Sequence, residues 1–216
     1  MYALCTGSGK DATLALHRAR DAGLDVGVGL NLHDAASGRV AFHGTRAALV
    51  EAHCRALGLE PLLIPVEAGA FEPRFVEALR ELAERGARGV VFGNVHLADV
   101  RAWYEERVRA AGLEHVEPLW GEPPADLVRD VVRLRYRALV VSVDLEQGRP
   151  SWLGRELDDA LVAEMEAHGA DPCGERGEYH TFVHDGPAFS SAVPVARGDE
   201  VEMKGHRLLD LVLRTT

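Results

Sequence analysis

A glycine-rich segment near the start of the chain combines residue types that suit phosphate binding. It lies between an apolar run and a helical pattern and reads Thr6, Gly7, Ser8, Gly9, Lys10, Asp11 and Ala12. Glycines let backbone N–H groups approach an anion closely, and the positive end of the helix dipole adds to the attraction. Lys10 offsets phosphate charge, and Asp11 can position Mg²⁺ or cap the helix. The segment is therefore predicted to bind phosphate.

Known loop types compete for this segment. A Walker A loop needs a hydroxyl residue after its lysine, but Asp11 follows Lys10 here. A dinucleotide-binding fingerprint fits formally as Gly7, Gly9 and Ala12. A third type is the Ser-Gly-Gly-x-Asp-Ser loop of ATP pyrophosphatases, which wraps the β- and γ-phosphates so that they leave together. A plain strand-to-helix turn capped by Asp11 is the structural alternative.

A later segment carries two carboxylates in a glycine-rich setting. Gly174 and Gly177 bracket Glu175, and Glu178 follows directly. This spacing allows both carboxylates to turn towards one pocket from a loop. The alternative is an acidic surface loop that leads into a strand at 181–183, and the spacing alone leaves both open.

Alternating strand and helix patterns surround the first segment. Continuous apolar runs predict buried strands, and amphipathic periodicity predicts helices between them. The predicted strands are 2–6, 25–31, 62–66, 89–92 and 115–119, and the predicted helices are 11–22, 45–57, 71–85 and 97–111. Apolar strands that alternate with helices indicate an α/β fold with a doubly wound, Rossmann-like parallel sheet.

Ligands of such folds bind outside the carboxyl ends of the strands. Phe42 and His43 follow the second predicted strand, and Gly93 and Asn94 follow the fourth. We therefore expect Phe42 and His43 to meet the adenine of a nucleotide, with Gly93 and Asn94 at the same edge of the sheet. Solvated loop residues and a simple turn are the alternatives.

The pattern changes at 121–124, where two consecutive prolines prevent a helix from continuing through the connection. We predict a first domain at 1–121 and a second at 122–216. The second reads as a smaller α+β domain with short strands near the C-terminus. Its other predicted elements are helices at 124–134 and 157–168 and a strand at 138–143.

The composition is that of an ordinary globular protein: 216 residues, 47% hydrophobic and 27% charged. The formal net charge of −10 disfavours nucleic acid and anionic membranes as partners. Cys5, Cys54 and Cys173 follow no pairing pattern, and no apolar run resembles a signal peptide or a membrane span. We therefore expect a cytoplasmic protein without membrane contact, for which a homodimer is one possible assembly.

The two segments in combination resemble the diphthine–ammonia ligase family of PP-loop ATP pyrophosphatases. That family pairs the phosphate loop with a late Gly-Glu-Gly-Gly-Glu-Tyr/Phe-Glu-Thr segment, followed by Asp-Gly-Pro-x-Phe. Here the corresponding residues run from Gly174 to Thr181 and from Asp185 to Phe189. Further landmarks in the same order are Phe42-His43, Gly93-Asn94-Val95, Pro118-Leu119-Trp120-Gly121 and Trp152-Leu153-Gly154-Arg155. The resemblance spans nearly the whole chain and implies the HUP type of Rossmann-like sheet.

The resemblance implies an ATP-dependent amide ligase, which adenylates a carboxylate with release of pyrophosphate and then forms the amide with free ammonia, releasing AMP. By this resemblance, the catalytic residues are expected to be Lys10, Asp11, Glu175 and Glu178. Asp11 is expected to bind Mg²⁺. The residues expected to bind ATP are Thr6, Gly7, Ser8, Gly9, Lys10, Asp11, Ala12, Phe42, His43, Gly93 and Asn94. The implied partners are ATP, ammonium and a carboxylate acceptor, for which a protein is one option.

Some positions depart from the family pattern. Ser8 and Arg176 stand at glycine places, Ala12 at a serine and His180 at a carboxylate. We expect Thr13 to stand in for the hydroxyl that Ala12 lacks, and the late changes leave the acceptor unidentified. Two further functions stay open: a tRNA-modifying PP-loop enzyme, and a protein that binds ATP or AMP and signals without turnover.

Overall fold

A computed structural model describes residues 1–203 and 205–214. Lys204 and residues 215–216, which belong to the predicted second domain, lie outside the described residues. The first part of the chain alternates strands and helices as β1 Tyr2–Cys5, α1 Lys10–Asp21, β2 Val26–Asp34, α2 Ala47–Ala56, β3 Glu60–Val66, α3 Phe71–Glu84, β4 Gly89–Val91, α4 Ala98–Ala110 and β5 Glu114–Val116.

The five strands form one all-parallel sheet in the order β3-β2-β1-β4-β5. This confirms the predicted doubly wound α/β class. The chain runs outward from β1 to β3 and then returns to place β4 on the other side of β1, so the order reverses at β1. The loop after β1 therefore lies at the topological switch point, where open α/β sheets bind their ligands.

The second part of the chain forms an antiparallel sheet with two helices. Its elements are α5 Pro124–Arg133, β6 Arg137–Asp144, a short 3-10 helix Pro150–Trp152, α6 Asp159–His168, β7 Tyr179–Asp185, β8 Val195–Met203 and β9 His206–Leu213. The sheet order is β7-β6-β9-β8. The α+β class is confirmed, but the expectation of short C-terminal strands is wrong. Polar residues on the exposed faces of β8 and β9 interrupt the apolar pattern and hide the strands' length.

Helix α1 connects the two parts through a shared apolar core. Leu14 is buried in the same cluster as Leu127 and Val131 of α5 and Tyr136 before β6. A second core lies on the other side of the parallel sheet, where α3 and α4 cover it. Because α1 packs against both parts of the chain, its N-terminus is held where the two meet.

Polar contacts add to this attachment. Asp210 of β9 accepts from Arg39 at 2.8 Å and from Arg46 at 2.6 Å. Arg18 of α1 pairs with Asp130 of α5 at 2.9 Å. Among the described residues, no helix is long and apolar enough to cross a membrane. The division of the chain near Gly121 into two domains stays a prediction.

Candidate active site

The glycine-rich loop connects β1 to the N-terminus of α1. Ser8 has a φ of 67°, in the left-handed region that favours glycine. Its N–H donates to Thr6 Oγ1 at 2.9 Å, while its own buried hydroxyl has no partner among the described residues. Gly9 is the N-cap residue of α1, and no side chain caps this end of the helix. In the first turn of α1, the N–H groups of Asp11 and Ala12 have no acceptor among the described residues, so they could donate to an anion.

The late segment is hydrogen-bonded to this loop. The Lys10 N–H donates to Thr181 Oγ1 at 3.0 Å, and the Val183 N–H donates to the Ser8 carbonyl at 2.9 Å. The Lys10 ammonium also donates to the Cys173 carbonyl. The structure therefore brings together the two segments that the sequence singled out, although more than 160 residues separate Lys10 from Cys173 along the chain.

Lys10 is a buried anchor within this contact. Its side chain is 2% exposed, and its ammonium contacts the Asp11 carboxylate at 2.9 Å and lies 4.8 Å from the centre of the Tyr179 ring. Burial is the largest single influence and lowers the pKa of Lys10, but the interactions with Asp11, Tyr179 and Cys173 together outweigh burial and hold this pKa above its usual value. Lys10 thus stays charged and joins the loop to the late segment.

Glu175 of the late segment interacts electrostatically with Asp11 of the loop. Its Oε2 accepts from the Val95 N–H at 3.2 Å. Burial, together with the neighbouring Asp11 carboxylate, raises the pKa of Glu175 to about 7. Two neighbouring carboxylates repel each other when both are ionised, and a cation bound between them would offset this repulsion.

The carboxylates near the loop fit a Mg²⁺ ion that is coordinated jointly by the protein and by the phosphates of a substrate. No group of three or more His, Cys, Asp or Glu side chains among the described residues is arranged to hold a metal ion. Mg²⁺ is typically held by one or two carboxylates together with substrate phosphates and water. Asp11 and Glu175 match that pattern.

Glu178 lies in the same segment but has a different set of partners. Its side chain is buried, and its two oxygens accept from the backbone N–H groups of Asp171 at 3.0 Å and Arg176 at 3.1 Å. These bonds brace the loop that carries Glu175. The catalytic role expected for Glu178 stays a prediction, and its geometry is that of a structural support.

A cavity of about 280 Å³ opens beside the loop at the carboxyl ends of β1 and β2. Its lining includes Thr6, Gly7, Asn31, Phe42, His43 and His180. Asn31 Oδ1 and His180 Nε2 are buried there without partners in the described part of the chain. Such groups are costly to leave unpaired, so a polar ligand such as a nucleoside fits this cavity.

His43 and His180 stack with ring centroids 4.3 Å apart. Burial, then the nearby Lys10 charge, lowers the pKa of His43 to about 4. Burial, then the neighbouring His43, moves the pKa of His180 well below its usual value. The two rings are therefore neutral at neutral pH, and His180 adds no positive charge to the site. Phe42, beside them, is 70% exposed at the cavity edge.

Gly93 and Asn94 are placed differently from the cavity residues. A Cβ atom on Gly93 would lie 2.7 Å from the backbone N of Ala12 and 2.7 Å from the backbone C of Asp11. Gly93 thus permits the end of β4 to touch the first turn of α1. Asn94 donates to Glu117 Oε1 at 2.7 Å. Neither residue lines the cavity, and their role in ATP binding stays a prediction.

Thr13 does not replace the hydroxyl missing at Ala12. Its Oγ1 donates to the Gly9 carbonyl at 2.9 Å inside the helix, and the side chain is buried. Asn31 lines the cavity and is a candidate site residue that the sequence analysis did not predict. A lone amide within the apolar strand β2 was its signal, and its Nδ2 donates to the Thr6 carbonyl at 2.7 Å.

Comparisons with known proteins give consistent results for both parts of the chain. Residues 1–115 match a family model described as the diphthamide synthase N-terminal domain, and residues 123–211 match one described as the diphthamide synthase C-terminal domain.

Curated relatives include proteins named diphthine–ammonia ligase. The rat protein (Rattus norvegicus) is 27% identical over 118 residues, which cover 52% of this chain and 44% of that protein. The human protein is 27% identical over 117 residues, with the same two coverages of 52% and 44%. The protein of the fission yeast Schizosaccharomyces pombe is 29% identical over 105 residues, or 47% of this chain and 17% of its own length. The matched region therefore spans less than half of these relatives.

Proposed function

This chain belongs to the diphthamide synthase family, and from that membership we propose that it is an ATP-dependent amide ligase. It adenylates a carboxylate and then converts the acyl adenylate to an amide with ammonia. The observation that carries the proposal is the docking of the late segment on the phosphate loop. That docking brings the segment of Glu175 to the loop, where Glu175 interacts electrostatically with Asp11. This supports one site that combines an anion cradle with a pair of carboxylates.

The proposed reaction has two steps. A carboxylate oxygen of the acceptor bonds to the α-phosphorus of ATP, the bond from that phosphorus to the bridging oxygen of the β-phosphate breaks, and pyrophosphate leaves with the electron pair. Ammonia then bonds to the acyl carbon, the carbon–oxygen bond to AMP breaks, and the nitrogen loses a proton. Neither step needs a covalent nucleophile on the protein, so the enzyme's work is positioning and electrostatic stabilisation.

The chain's own groups suit that work. The first-turn amides of α1 and the unpartnered Ser8 hydroxyl are proposed to hold the departing phosphates. The cavity with Asn31 and His180 is proposed to hold the nucleoside. Asp11 and Glu175 are proposed to hold Mg²⁺, which neutralises phosphate charge when bound.

Isotope exchange between pyrophosphate and ATP, measured with a panel of carboxylates, tests the adenylation step. Release of AMP after ammonium is added tests the amidation step. We expect Asp11→Asn to lower exchange by about 10- to 100-fold, because it removes a carboxylate beside the phosphates.

Asp21→Asn is the matched control, since Asp21 lies in the last turn of the same helix and its side chain is 73% exposed. It is expected to leave exchange unchanged. ATP binding without exchange for any carboxylate would contradict the ligase proposal and favour a nucleotide-sensing protein. Equal exchange in the two variants would contradict the proposed role of Asp11.

A further inference from the structure

An open groove of about 670 Å³ lies next to the proposed site, on the outer side of the late segment. Its lining includes His96, Glu122, Pro123, Asp171 and Arg176. The groove is formed where the residues before α5 face the turn that carries Glu175. No residue that is proposed to bind ATP lines this groove.

The acidic groups of the groove already have partners. His96 Nε2 lies 2.6 Å from Asp171 Oδ2. Glu122 pairs with Arg18 of α1. Arg176 differs, because its guanidinium is exposed and makes no ion pair or hydrogen bond with any residue that the structure describes. Among the described residues, Arg176 is therefore the charged side chain of the lining that remains available to a ligand, in a chain whose formal net charge is −10.

The groove adjoins the chain segment that carries Glu175 of the proposed site. Arg176 directly follows Glu175, and His96 directly follows Val95. The Val95 N–H and the Glu175 carboxylate are joined by a hydrogen bond of 3.2 Å. A molecule in the groove thus lies against the chain segments that form the inner site.

We propose that this groove binds the acceptor, and that Arg176 selects acceptors that carry a second anionic group besides the carboxylate that reacts. This inference rests on the proposed ligase function. The reacting carboxylate becomes a neutral amide, so a guanidinium paired with it would weaken its attack and lose its partner in the product. A separate carboxylate or phosphate on the acceptor keeps its pairing with Arg176 throughout, and guanidinium binds either group with two parallel hydrogen bonds.

The test measures the dissociation constants of three probes by titration of the full chain with AMP present. Glutarate monoamide and 3-phosphonopropionamide have the form of amide products and keep one carboxylate and one phosphonate, whereas the diamide of glutarate keeps no anionic group. We expect the monoamide or 3-phosphonopropionamide to bind about tenfold more tightly than the diamide, as a hydrogen-bonded charge pair allows. Whichever of the two anionic probes binds more tightly identifies the second group as carboxylate-like or phosphate-like.

Arg176→Gln should abolish the preference, because the backbone bonds of residue 176 to Glu178 and Gln147 do not involve the replaced side chain. Arg80→Gln is the matched control, since Arg80 is another exposed arginine, on α3, without a partner among the described residues. It should keep the preference. A preference that is absent, or that survives in Arg176→Gln, overturns the inference, as does failure of all three probes to bind at millimolar concentration.

These outcomes are separate from the fate of the ligase proposal. Pyrophosphate exchange decides whether the chain adenylates any carboxylate. The binding preference decides whether Arg176 recognises an anion in the groove, and it does not require turnover.

Discussion

Lys10 is placed to organise the loop more than to face a ligand. Its ammonium pairs with the Asp11 carboxylate and donates to the Cys173 carbonyl, and Lys10 does not line the cavity beside the loop. Its charge still contributes to the field at the N-terminus of α1, since charges interact strongly where water is excluded. We therefore expect the first effect of removing it to be on stability.

Lys10→Met is expected to lower the free energy of unfolding by about 2–4 kcal/mol, because it leaves the Asp11 carboxylate and a buried carbonyl without their donor. Urea unfolding followed by circular dichroism measures this. Arg109→Met is the control, since Arg109 is exposed and, among the described residues, pairs only with Glu105 at the surface. That variant should change by less than about 1 kcal/mol. Similar losses in the two variants would show that Lys10 is no anchor.

Glu175 gives the site a pH dependence. Its ordinary pKa of 4.5 is raised to about 7 in the folded protein, mainly by burial. The folded state thus binds this proton more tightly than the unfolded state. The stability that the group contributes at low pH is lost as the pH rises through the range between the two values.

Glu175→Gln is not subject to this loss, because glutamine does not ionise. We therefore expect the unfolding free energy of the variant, relative to that of the unmodified protein, to rise by about 1–3 kcal/mol from pH 5 to pH 8. Thermal unfolding at intervals across this range gives the difference, and Glu77→Gln, at an exposed site on α3, corrects for the general effect of removing a carboxylate. A difference that stays constant with pH would rule out a raised pKa for Glu175.

At the scale of elements, the site depends on how closely β4, α1 and β7 approach one another. β7 supplies Thr181 and Val183 to the loop, and β4 ends against the first turn of α1 at Gly93. The backbone atoms that a side chain on Gly93 would meet cannot rotate away as a flexible side chain could. The glycine is therefore required for packing between elements.

Gly93→Ala is expected to cost about 1–3 kcal/mol of unfolding free energy, because the added methyl group forces α1 away from β4. It should also weaken ATP binding, since the displaced helix carries the amides that are proposed to bind phosphate. Gly198→Ala in β8 is the control, because its added methyl group would meet neighbours at 3.4 Å, an ordinary contact. Calorimetric titration with ATP and urea unfolding measure both effects. Unaltered binding and stability in Gly93→Ala would contradict this view of the packing.

At the scale of the whole molecule, Asp210 ties the antiparallel sheet to the first part of the chain. The hydrogen bond from Arg46, together with the contact to Arg39, lowers the pKa of Asp210 to about 2, below its ordinary 3.8. The folded state thus releases this proton more readily than the unfolded state. The stabilisation is present above the ordinary value and is lost as the pH falls towards 2.

Asp210→Asn is expected to lower the unfolding free energy by about 1 kcal/mol at pH 7, allowing for solvent screening around the half-exposed Arg46. Near pH 2 the variant and the unmodified protein should converge. Asp199→Asn in the neighbouring strand β8 is the control and should show no loss at pH 7. Denaturant unfolding at both pH values measures this, and a loss that persists at the lower pH would contradict the assignment.

The sequence by itself determined the class of the fold and the location of the loop. Uninterrupted apolar strands that alternate with amphipathic helices have few arrangements other than a covered parallel sheet. The position of the loop 6–12 follows from local chemistry, because glycines before a helix N-terminus are typical of anion-binding loops. Even the two-segment pattern that indicated the family is local, since each segment is a short run of adjacent residues.

Only the tertiary structure decided what these residues contact. Lys10 reads in the sequence as a free phosphate-binding charge, yet the fold directs it to the Cys173 carbonyl. Glu175 and Glu178 read as an equivalent pair, yet Glu175 interacts electrostatically with Asp11 whereas Glu178 accepts hydrogen bonds from backbone amides. The physical reason is that hydrogen-bond partners and burial come from segments distant in the chain. Spacing along the sequence fixes which groups are available, and three-dimensional packing fixes which of them remain free for a ligand.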